Sequence, residues 1–172
     1  MEHRTASFLG AALAAGFTLV HLALEAAAGG VVSHHPLADP DLPAISNFYG
    51  LLTLPVLGAL TGRRYAVVGL GAVLRGLLPA LLYGALLAGA FELGDEALAT
   101  RLFQGLFLLA LCLPVHRIEC LTGFALGMAV TFGGVLPVAI GGVVALLSLA
   151  ISASIGRLLA LFRRRAAGAG TD

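Results

Sequence analysis

The chain has 172 residues, 59% hydrophobic and 11% charged, with a mean hydropathy of +1.01 and a formal net charge of +1. A soluble domain is about 25% charged, so this composition excludes an ordinary soluble core and points to the lipid bilayer as solvent. No segment reaches the basic density of a nucleic-acid surface, so nucleic acid is not an expected partner.

Long apolar runs separated by short polar breaks predict an all-α, polytopic transmembrane bundle of about six spans in a single domain. The first span covers 8–29 and is apolar except for Thr18, His21 and Glu25. Ionisable groups in hydrocarbon cost roughly 2.5–3.5 kcal/mol each on insertion scales, so they usually serve function. His21 and Glu25 are four apart and share one helix face. The same stretch also fits a cleavable signal peptide with an A-x-A site at Ala26–Ala28. Cleavage there would leave five spans.

A polar loop, Ser33-His34-His35-Pro36-Leu37-Ala38-Asp39-Pro40-Asp41, follows. Its prolines stiffen its path. The second span is 44–61, bounded by Pro43 and by Gly62-Arg63-Arg64, with Asn47 near its outer end. The third, 65–91, carries Arg75, and the fourth, 99–115, carries Gln104 near its outer end. The apolar block from Ile118 to Phe162 is too long for one crossing at about 1.5 Å per residue. It divides at Gly133–Pro137 into spans 118–136 and 138–162. Residues 166–172 are an expected disordered tail.

All ten basic residues are Arg. Arg4, Arg63, Arg64, Arg117 and Arg163–Arg165 fall on one side of this topology, and only Arg101 on the other. The positive-inside rule then makes both termini cytoplasmic. The Arg, Ala, Leu and Gly bias suggests high-GC coding, and the expected setting is a multi-pass protein of a bacterial inner membrane.

His21 lies roughly 4 Å and Glu25 roughly 10 Å outward of the midplane by helical rise. With Asn47 and Gln104 they form the expected ligand-binding set, a polar pocket open to the exterior. The bland alternative is interhelical hydrogen bonding as packing glue. His21, Glu25, His34 and His35 are also competent metal ligands, but a metal needs three or four convergent groups. Arg75, deep in the third span, needs a partner. Glu119 is the nearest acid by depth, so an Arg75–Glu119 structural ion pair is expected, with the third span beside the fifth. Cys112 and Cys120 match no disulfide or zinc spacing. No nucleophile motif or phosphate loop appears, so no catalytic residue is assigned and no cofactor is specified. Gly123-x-x-x-Gly127, Ser148/Ser152/Gly156 and Ala11/Ala15 form small-residue stripes suited to close helix packing or to docking a partner subunit or second copy.

Two resemblances follow from these residues. In its six-span layout, both termini inside, a first loop over an outward pocket and the Ala11/Ala15 stripe, the chain is similar to substrate-binding S components of energy-coupling-factor transporters. That would imply vitamin or metal uptake through a partner membrane subunit and ATPases. His21-x-x-x-Glu25, Glu119-x-x-Thr122 and Asn47 resemble side chains of emopamil-binding-type sterol isomerases, where a His/Glu pair moves a proton on an apolar substrate. Here the chain order differs and Trp is absent. The leading expectation is binding or transport of a small solute or ion. A membrane enzyme using His21 and Glu25 as acid and base, and a non-catalytic scaffold, stand as alternatives.

Overall fold

The computed structural model describes residues 2–35, 41 and 43–168. They form six helices: α1 (His3–Ala27), α2 (Gly50–Val68), α3 (Leu70–Glu92), α4 (Glu96–Cys112), α5 (Ile118–Phe132) and α6 (Val135–Gly168). Between α1 and α2 lies a short antiparallel ribbon, β1 (Ser33–His34) and β2 (Ile45–Ser46), with Ser33 opposite Ser46 and His34 opposite Ile45. A 3-10 turn, Asn47–Tyr49, then leads into α2. Among the described residues three helices are long and apolar enough to cross a membrane: His3–Ala27, Leu70–Glu92 and Val135–Leu161. α5 is apolar but has only 15 residues.

The helix limits differ from the sequence expectation for identifiable reasons. Residues 44–49 are not the start of α2, because Ser46 is extended and its hydroxyl accepts from Phe48 N at 3.3 Å, which starts the 3-10 turn instead. α2 does not stop at Gly62-Arg63-Arg64. It runs to Val68 and turns at Gly69, where φ is +80°. α4 begins early, at Glu96, because the Asp95 carboxylate caps it by accepting from Leu98 N at 2.9 Å. α5 ends at Phe132, and the chain reverses at Gly133–Gly134. The tail expected to be disordered from 166 starts inside α6, which extends to Gly168; residues 169–172 lie outside the described residues.

Two helix pairs form the frame, and both close on glycine. α1 and α2 are antiparallel, with Gly10 and Gly58 each set against the other's carbonyl and Gly62 against Ala6 O. A β-carbon at any of the three would overlap backbone. The face of α1 against α2 is therefore Ala6/Gly10/Ala14, with Ala6 and Ala14 buried, while Ala11 and Ala15 are only half-buried. α3 and α5 are parallel, with Gly123 against Leu77 O and Gly127 against Leu81 O. Such contacts permit Cα–H···O bonds and close van der Waals approach, the means of packing where lipid is as apolar as leucine.

Around this frame lie two apolar clusters. Leu54, Leu57, Ala14, Ala125 and Ala129 join α1, α2 and α5. Leu87, Leu106, Phe124, Met128 and Val144 join α3, α4, α5 and α6. Ser148 is fully buried on α6 and donates to Leu113 O at 2.9 Å, which ties α6 to the end of α4. Farther along the same stripe Gly156 is exposed and faces open space. Many large apolar side chains are exposed, among them Leu13, Leu52, Leu82, Leu108 and Leu146, as a lipid-facing surface requires.

One end of the bundle carries the ribbon, the end of α1 and the Gly133–Gly134 turn. We call it the hairpin end. The opposite end carries Arg63, Arg64 and Arg117 and is the arginine end.

Candidate functional site

At the hairpin end the last turns of α1 present His21 and Glu25 toward the ribbon. Glu25 Oε1 accepts from Asn47 Nδ2 at 2.5 Å, and Glu25 Oε2 accepts from Val32 N at 3.3 Å. Asn47 N in turn donates to Val32 O at 3.0 Å. One carboxylate thus fixes both strands of the connection to the helix that precedes it. His21 Nε2 stands 3.2 Å from Glu25 Oε1, within ion-pair reach when the ring is protonated, but without hydrogen-bond geometry. The two side chains are only 12% and 10% exposed, so the pair is largely withdrawn from solvent.

Asn47 is buried because the backbone opposite it has no side chain. A β-carbon at Gly133 would fall on Asn47 Oδ1, and Gly133 also has φ +66°, a conformation that favours glycine. The α5–α6 turn therefore doubles as the seat of the Asn47 amide. We expect Asn47→Ala to leave Glu25 Oε1 without its amide donor and to cost about 1–3 kcal/mol. Amide exchange at Val32 and Asn47 should accelerate, while exchange in the middle of α5 should not. Uniform acceleration across the bundle would contradict a local role.

Beside this network lies a cavity of about 590 Å³, within the range typical of small-molecule sites. Ser33, His34 and His35 of the ribbon border it, and Leu87, Phe91, Phe103, Met128, Phe132 and Ile140 supply most of its wall. The His34 ring lies 6.0 Å from the Phe132 ring, and Phe132 meets Phe91 edge-to-face at 5.1 Å. His34 Nε2 is buried and has no hydrogen-bond partner among the described residues. Burial pushes the His34 pKa below the ordinary histidine value, while the nearby Glu25 and Glu92 carboxylates partly oppose that shift.

No protein-family model, curated protein or solved structure matches the chain.

Of the four residues expected to bind a ligand, His21, Glu25 and Asn47 come together and Gln104 does not. Gln104 is exposed on α4, whereas its neighbour Phe103 faces the cavity. The proposed metal set does not converge either. The His34 ring packs toward Phe132, and among the described residues no group of three His, Cys, Asp or Glu side chains could hold an ion. Pro36, Asp39 and Pro40 of the loop lie outside the described residues.

At the arginine end the expected Arg75–Glu119 pair is replaced by another. Glu119, 1% exposed, has its Oε2 3.7 Å from Arg64 Nε of α2, and Arg75 is exposed. Beside Glu119, Thr61 and Thr122 share a 2.7 Å hydrogen bond, and Thr122 Oγ1 also donates to Ile118 O at 2.9 Å. Arg64 escaped the sequence reading because Gly62-Arg63-Arg64 looked like a break between spans. The signal that could have found it is the Thr61-x-x-Arg64 spacing, which puts both on one helical face.

Proposed function

We propose that the protein is a multi-pass membrane protein that binds a small, largely apolar solute in the cavity at its hairpin end. In this reading all six helices cross a bacterial inner membrane, both termini are cytoplasmic and the hairpin end faces outward. The successive helices alternate in direction, most arginines gather at one end, and Glu25, Glu92, Asp95 and Glu96 gather at the other beside the lone Arg101. That asymmetry supports the orientation. α4 and α5, at 17 and 15 residues, extend about 25 and about 22 Å along their axes, short of the roughly 30 Å hydrocarbon core, and would need a locally thinned bilayer.

The single observation that carries the binding reading is the buried His34 Nε2, without a hydrogen-bond partner among the described residues, at the edge of a largely apolar cavity. A buried polar atom without a partner costs free energy, and a ligand group that hydrogen-bonds to it recovers that cost. His21, Glu25 and Asn47 are then positioning residues that hold the ribbon over the cavity. They are not the ligand contacts themselves.

Native mass spectrometry of the detergent-purified protein tests this. A retained small molecule should vanish in Ile140→Trp, which fills the cavity. In His34→Phe, which keeps an aromatic ring but removes both nitrogens, affinity should fall roughly threefold to tenfold, the worth of one hydrogen bond. Equal retention by both variants would place the ligand elsewhere.

The depressed His34 pKa adds a pH dependence. Below the ordinary value of 6.5 the unfolded ring takes a proton that the folded ring resists, so the stabilisation is complete above 6.5 and is lost as pH falls below it. We expect ribbon amides to exchange faster, after correction for intrinsic rates, as pH drops from about 6.5 toward 5. His34→Phe should remove that trend.

A further inference from the structure

A second cavity, of about 540 Å³, lies toward the arginine end, between the α3–α5 pair and the α4–α6 side of the bundle. Its interior is formed by Ala80, Leu106, Leu109, Leu121, Phe124 and Val144. The one phenol there, Tyr83, already donates to Leu102 O at 2.5 Å, so it offers no free donor. The exposed lining residues are Arg75 and Pro79 of α3 and Leu113, Pro114 and Arg117 of the α4–α5 connection. The opening therefore lies between α3 and that connection, and two arginines flank it.

Neither Arg75 nor Arg117 makes an ion pair among the described residues. Glu119, the acid nearest to Arg117 in sequence, has its carboxylate beside Arg64 of α2. Two uncompensated guanidinium groups thus sit at the mouth of an apolar cleft, on the end of the bundle that carries most of the positive charge. Guanidinium forks match phosphate geometry. An apolar cleft below them matches a hydrocarbon chain, and anionic lipid is the species in a bilayer that joins the two.

We infer that this cleft holds one acyl chain of an anionic phospholipid, with its phosphate bound by Arg75 and Arg117. The inference does not depend on the solute proposed for the hairpin end, because no residue lines both cavities. It does require that the helices stand in a bilayer.

The test is native mass spectrometry of the full chain with equal amounts of phosphatidylglycerol and phosphatidylcholine. The wild type should retain phosphatidylglycerol in preference, roughly tenfold or more for two interfacial arginines. Arg75→Gln/Arg117→Gln should lose that preference, while Arg63→Gln/Arg157→Gln, which removes the same charge elsewhere, should keep it. Ala80→Phe, which fills the cleft and leaves both arginines, should lose the retained lipid. Circular dichroism and thermal melting confirm that each variant is folded; if Ala80→Phe fails to fold, Leu109→Phe takes its place. Three results would overturn the inference: no preference in the wild type, equal loss in both double variants, or retention unchanged when the cleft is filled. Soluble glycerol phosphate competing as well as the whole lipid would also overturn it, since the chain would then contribute nothing.

Discussion

Gly123→Leu should prevent the native bundle from forming. A β-carbon at Gly123 would overlap the Leu77 carbonyl oxygen of α3 and lie 3.0 Å from the Leu81 nitrogen. Both obstacles are helical backbone, which has no rotamer to relieve the clash, so the pair must separate along its length. Overpacking in a core that can shift costs about 1–3 kcal/mol, and this site lies at or above the top of that range. It also breaks the α3–α5 contact on which the Phe124 and Met128 cluster depends. Gly16→Leu is the matched control, since nothing lies within 4 Å of a β-carbon there. Thermal unfolding in detergent should show the first variant unfolded or strongly destabilised and the second near wild type. Equal melting temperatures for the two would mean that the helices are not held at glycine distance.

Arg64→Ala should be the most damaging charge removal in the protein. It would leave the Glu119 carboxylate, 1% exposed, with no cation beside it. Removing one partner of a buried pair typically costs about 3–5 kcal/mol. Arg64 is 39% exposed on its side chain and 3.7 Å from the acid, so water screens the pair and the loss belongs at the lower end of that range. Adding Glu119→Gln should recover much of the loss, because the amide removes the unpaired charge and keeps the shape. Arg75→Ala, in contrast, should change stability by no more than about 0.5 kcal/mol, as an exposed side chain without an ion pair. If Arg75→Ala destabilises more than Arg64→Ala, the assignment of Glu119 to Arg64 is wrong.

Much of the helical architecture could be read from hydropathy because a long apolar helix has a strong and simple signal. The division at Gly133 was legible for the same reason, since no single helix of that length fits a bilayer. The His21–Glu25–Asn47 grouping was legible because helical spacing and depth along the axis are both linear in sequence. What failed was lateral position. Depth placed Arg75 nearer to Glu119 than other acids, but it says nothing about which face of α3 Arg75 occupies, and that face points outward. Gln104 failed the same way, on the wrong side of α4 from Phe103. The role of Arg64 was hidden by a helix end misplaced by about two turns. Local composition read Gly62 as a break, whereas tertiary packing against Ala6 uses it as a helix interior. The cavity at His34 was invisible, because an empty volume has no residue of its own.

α4 and α6 contribute to both cavities. Phe103 and Ile140 border the hairpin-end cavity, and Leu106, Leu109 and Val144 line the arginine-end cleft. The α1–α2 and α3–α5 pairs are locked by backbone-to-backbone contact, while α4 is held to the rest through side chains. Leu106 belongs to the buried cluster and also lines the arginine-end cleft, so it seats α4 where the helix passes from one chamber to the other. A substitution that reseated α4 there would therefore reshape both chambers at once.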